Sequence, residues 1–67
     1  MNPDIRYSPF TFDSTEVIFT AVTPKGREVF DQCFGPAAIG VTMRKSAAAD
    51  FIHHAQRQGA VVEEEQP

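Results

Sequence analysis

The chain has 67 residues, a single cysteine and a formal net charge of −3, which is enough for one domain and no more. A domain this small buries only about 60% of the surface its unfolded chain exposes, and a lone Cys33 excludes both an internal disulfide and a cysteine-based zinc site within one chain. Met1 to Arg6 lack the charged-then-apolar run of a secretory signal and no stretch approaches the roughly 18 apolar residues of a spanning helix, so the expected setting is soluble and cytoplasmic, without a membrane partner.

Residues 1–9 read as an N-terminal arm holding Ile5 and Tyr7, followed by a short edge strand at Phe10 to Phe12 that is held at the sheet margin by its neighbour Pro9. Asp13-Ser14-Thr15 is turn chemistry and would close a hairpin onto the next strand. Glu16 to Val22 is β-branched and aromatic, with Val17, Phe19 and Ala21 on one face and Ile18 and Val22 on the other. Two apolar faces point to a central strand.

Thr23 then offers an N-cap hydroxyl and Pro24 suits the first helical position, predicting a helix from Pro24 to Phe34 with Val29, Phe30, Cys33 and Phe34 in the core and Gly35-Pro36 as its stop. Ile39, Val41 and Met43 alternate with Gly40, Thr42 and Arg44, the period of a strand with one buried face. Ser46 is the expected cap of a second helix, in which Ala48, Phe51, Ile52 and Ala55 recur at helical spacing up to the stop at Gly59. Ala60 to Val62 reads as a short last strand, and residues 63–67 as an acidic tail.

The order is therefore β-β-α-β-α-β, an α+β or α/β fold in which a single small sheet of three to four strands carries two helices on one face. Four short strands do not support two helical layers. The second face of the Glu16 strand, with Ile18 and Val22, then needs cover from the N-terminal arm or a second chain, which favours an interface or a homodimer.

Charge is segregated. Residues 1–15 carry Arg6 against Asp4 and Asp13, residues 16–62 are nearly balanced at +1, and Glu63, Glu64 and Glu65 give the end of the chain −3. Two strand-to-helix junctions are basic: Lys25, Gly26 and Arg27 in one, Arg44, Lys45 and Ser46 in the other. Free N–H groups at helix starts bind anions, so these six residues form a candidate anion or nucleotide site if the two strands run parallel and bring both junctions to one end of the sheet. The spacing matches no P-loop and no dinucleotide fingerprint. If the last strand is parallel too, the three glutamates reach that end and compete for the same cations.

Other chemistry-bearing residues read as structural. His53 and His54 are adjacent on a helix and diverge by about 100°, so they do not chelate one metal, and His54 suits an ion pair with Asp50 four residues earlier. Cys33 reads as a small buried hydrophobe. The carboxylates Glu28, Asp31 and Asp50 form no acid and base pair. Neither enzyme activity, a cofactor nor a metal is expected. Direct nucleic-acid binding is disfavoured because the aromatic residues serve the core and the domain is not basic overall.

These features describe a small non-catalytic protein that acts by binding another macromolecule. In size, charge and economy of fold the whole chain resembles the short inhibitors and accessory proteins encoded by phages and mobile elements, anti-CRISPR proteins among them. That resemblance implies an acidic interaction surface built on Glu63, Glu64 and Glu65, with Asp4, Asp13 or Glu16 beside them, that occupies the basic groove of a nucleic-acid-binding protein or complex. The alternatives from other classes are the anion-binding regulatory module just described and a structural homodimer or antitoxin-like component.

Overall fold

A computed structural model describes residues 2–9 and 15–65. The elements are β1 (Ile5–Pro9), β2 (Glu16–Ala21), α1 (Pro24–Phe34), β3 (Gly40–Arg44), α2 (Lys45–Arg57) and β4 (Val62–Glu64), in the expected β-β-α-β-α-β order. They form a mixed four-stranded sheet with strand order β3-β2-β1-β4.

The N-terminal segment is not an arm but an interior strand. β1 pairs antiparallel with β2, from Ile5 opposite Ala21 to Pro9 opposite Val17, and parallel with β4. Val22 donates its N–H to the Asp4 carbonyl at 2.9 Å, so by alternation Arg6 and Ser8 turn their backbone groups to β2 while Ile5, Tyr7 and Pro9 turn theirs to β4. Pro9 is tolerated in this strand because the pairing of β1 with β4 stops at Tyr7, so its missing N–H removes no ladder bond from that pairing. The strand expected at Phe10 to Phe12 lies outside the described residues.

β2 and β3 are neighbours and antiparallel although a helix joins them. β3 and β4, the two edge strands, both run with β1. The parallel crossover is thus β3-α2-β4, carried by α2 over the whole width of the sheet.

Both helices pack on the face made by Ile5, Val17, Phe19 and Ala21. Phe19 is fully buried and meets Phe51 of α2 edge to face at 4.9 Å between ring centroids, and Phe51 meets Phe30 of α1 at 5.9 Å. Burying a side chain of this kind contributes roughly 1.5–3 kcal/mol, so the three rings that join both helices to the central strand dominate the core. The buried stripe of α1 runs through Gly26, Val29 and Phe30 and continues at Phe34, whose ring packs on Phe30 and Phe51. Cys33, expected in the core, lies on the flank of that stripe and is exposed.

Thr23 caps α1 as expected. Ser46 does not cap α2: Arg44 occupies the N-cap position, no side chain supplies the cap, and Ser46 is one residue inside the first turn. Gly59, with φ of 89°, ends the turn that follows α2. No helix among the described residues is long and apolar enough to cross a membrane.

Candidate interaction surface

The side chains of the strands that point away from the helices form an open face. In register across it stand Arg44 of β3 opposite Glu16 of β2, Thr42 opposite Ile18, Ile18 opposite Ser8 of β1, Thr20 opposite Arg6, and Arg6 opposite Glu63 of β4. Ile18 and Val22 are half-buried rather than covered. They floor a shallow depression of ≈ 250 Å³, lined also by Arg6, Ser8, Thr20 and Glu65. Beside it, along the β4 edge, Arg6 and the three glutamates line a more polar recess of ≈ 330 Å³.

This distribution changes the acidic surface expected from the sequence. Glu63 and Glu64 belong to β4 instead of a tail, and Glu65 is still tied to the sheet through its N–H on the Tyr7 carbonyl at 2.7 Å. The pleat sends Glu63 and Glu65 to the open face and Glu64 to the other side, in register with Tyr7. Arg6 stands opposite Glu63 near one end of the face and Arg44 opposite Glu16 at the other, so each end carries both signs of charge. Glu16 is separated from the β4 glutamates by all of β1. Asp13 lies outside the described residues.

The basic junctions do not meet. Because β2 and β3 are antiparallel, Lys25, Gly26 and Arg27 follow the end of β2 at one end of the sheet, while Arg44, Lys45 and Ser46 lie at the other. Glu64 and Glu65 run toward the end that holds Arg44 and Lys45 but stop level with Val41 and Thr42 on the opposite edge, more than three strand spacings or about 14 Å away. The one ion pair among the described residues is local, Lys25 Nζ to Glu28 Oε1 at 3.8 Å. Asp50 and His54 make none, and both are exposed.

The start of α1 already holds a carboxylate. Thr23 Oγ1 accepts from the Gly26 N–H at 3.2 Å and donates to Asp4 Oδ1. Asp4 Oδ2 accepts from the Val61 N–H at 2.8 Å, and the Asp4 N–H donates to the Val61 carbonyl at 2.9 Å. The hydroxyl of Thr23 and the N–H of Val61, with Lys25 nearby, hold the Asp4 carboxyl below its ordinary pKa against the opposing effect of partial desolvation. Gly26 is buried because the backbone of Asp4 sits against it: a Cβ there would lie 2.0 Å from the Asp4 carbonyl oxygen. Its lack of a side chain serves this packing and not the approach of an external anion.

Sequence reasoning assigned Asp4 to the charged surface and missed the clasp. A signal existed in the Asp at the entry to an alternating Ile5, Tyr7 segment, but its partners lie 19 and 57 residues away. Arg6, Ser8 and Thr20 were missed as surface residues because β1 was not placed inside the sheet. Among the described residues no cluster of three or more His, Cys, Asp or Glu side chains is arranged to hold a metal ion. Compared with protein-family models, curated proteins and solved structures, the chain matches none of them.

Proposed function

We infer that this is a non-catalytic binding protein that engages another protein through the open face of its sheet, in the manner of a small inhibitor. The observation that carries the reading is the half-buried apolar floor of Ile18 and Val22 with Arg6, Ser8, Thr20 and Glu65 around it, on the side of the sheet that neither helix covers. An apolar centre with a polar rim is the anatomy of a protein contact surface. The acidic side of the rim, Glu63 and Glu65, suits a partner whose own contact surface is basic, as a nucleic-acid-binding groove is. The anion-module alternative has less support, since it needed both basic junctions at one end.

The test is capture of a partner by the tagged chain, repeated with Ile18→Arg, with Glu63→Lys/Glu65→Lys, and with Arg27→Ala/Lys45→Ala, each checked for retained folding by circular dichroism. Retention by the wild type, loss with Ile18→Arg, weakening that grows at low salt with the double lysine variant, and no change with the last variant support the reading. A partner held equally by wild type and Ile18→Arg would remove the open face from the interaction. Loss confined to Arg27→Ala/Lys45→Ala would instead favour anion binding.

A further inference from the structure

We propose that the free edge of β3 pairs with β3 of a second copy, antiparallel about Thr42, to give a continuous eight-stranded sheet. The two edges of the sheet differ in what they offer. Ala21 donates its N–H to the Ile39 carbonyl at 3.1 Å and Lys45 donates to the Thr15 carbonyl at 3.0 Å. By alternation, Val41 and Met43 also spend their backbone groups on β2, which leaves those of Gly40 and Thr42 and the N–H of Arg44 directed outward, while the Arg44 carbonyl, at the N-cap of α2, serves the first turn of the helix. All three residues are exposed, and both backbone groups of Gly40 and Thr42 and the N–H of Arg44 lie on the side of β3 that has no neighbouring strand. An edge of this kind is a template for strand addition.

The side chains select a second copy as the occupant. With Thr42 opposite Thr42, Gly40 of each chain lies opposite Arg44 of the other, so the strand's one charge never meets its like. Threonine pairs are favourable across strands. On the helix side the same register sets Val41 opposite Met43 of the second copy, and both residues are only half-buried in the single chain. Ile39, next to the edge and 64% exposed, extends that apolar row. The β4 edge is the opposite case: it is three residues long, and self-pairing in full overlap would bring Glu63 against Glu63.

The symmetric arrangement closes after two copies. It leaves the open face and β4 free, so it is separable from the binding role proposed above. In the dimer the two acidic strands stand at the outer margins, seven strand spacings or about 33 Å apart.

Sedimentation equilibrium tests this directly. The wild-type mass should rise from one chain toward two between about 10 µM and about 1 mM, and amide exchange at Thr42 and Arg44 should slow over the same range. Thr42→Lys sets two lysines face to face on an exposed position and should raise the dimer dissociation constant at least about tenfold. Thr42→Pro, which removes an outward N–H and no ladder bond to β2, should do the same, while Glu64→Lys on the other edge should leave dimerisation intact. A single-chain mass at every concentration overturns the proposal. So does a dimer indifferent to Thr42→Lys, or a mass that grows past two chains, which would mean β3 pairing with β4 of the next copy.

Discussion

At the start of α1 the first turn is tied to two strands, whereas at the start of α2 the first turn hangs from a single backbone contact. Thr23, Asp4 and Gly26 lock the α1 entry to β1 and, through Val61, to the segment before β4. The α2 entry has only the Lys45 N–H on the Thr15 carbonyl and no side-chain cap. Both junctions join an apolar strand to an amphipathic helix and both are basic. The difference is that one lies where three strands begin or end together and needs a joint, while the other lies beside an edge strand, where nothing is available to join.

Gly26→Ala should separate the two junctions most sharply. In an ordinary helix position alanine is favoured over glycine by roughly 1 kcal/mol. Here the added methyl would meet the Asp4 carbonyl oxygen, and backbone has to move. The expected result is a loss of about 2–3 kcal/mol, or roughly 10–20 °C in Tm for a domain of this size. Any gain in Tm on thermal melting would show that β1 does not pack against the α1 entry in this way.

Asp4 should come next, and its effect depends on pH. Its folded-state pKa is depressed by the Thr23 hydroxyl first and the Val61 N–H second. A depressed carboxyl contributes stability that is fully present above the unfolded-state pKa and is lost as pH falls through the folded-state value. Asp4→Asn should therefore melt below the wild type at neutral pH, and the two Tm values should converge as the pH is taken down through the aspartate range. Parallel Tm curves across that range would mean that Asp4 is a solvated surface carboxylate.

What could be read from residue order alone follows the range of the interactions. The helices were legible because Thr23-Pro24, Gly35-Pro36 and the spacing of Ala48, Phe51 and Ala55 act within a few residues. The core phenylalanines Phe19, Phe30 and Phe51 were legible for the same reason. β1 carried its signal in Ile5 and Tyr7, but Pro9 argued for an edge, and only the short reach of β4 makes that proline acceptable inside the sheet. The direction of β3 was not legible, since a helix of α1's length can return the chain either way; what separates β3 from β4 is β1 entering between β2 and β4. Hence Lys25 and Arg44, which read as neighbours, stand at opposite ends. The glutamates were legible as an acidic group but not as a strand, and it is the strand that fixes which of them face Arg6.

The smallest expected effects come from the two hydroxyls that look like caps in the sequence. Thr23 Oγ1 accepts from the Gly26 N–H and donates to Asp4 Oδ1, so Thr23→Ala leaves an N–H of the first turn without its partner and Asp4 with the Val61 N–H but without the Thr23 donor. A loss of about 1 kcal/mol is expected for the cap itself. Ser46 lies one residue inside α2 and caps nothing, so Ser46→Ala should stay within about 0.5 kcal/mol of the wild type, with alanine's higher helix propensity acting in its favour. Chemical denaturation of both variants at neutral pH measures the difference. Equal losses would mean that α2 has a side-chain cap after all and that its basic entry is as rigid as that of α1. Unequal losses would leave Arg44 and Lys45 on a loosely held turn beside the free edge of β3, where adding a strand costs little rearrangement.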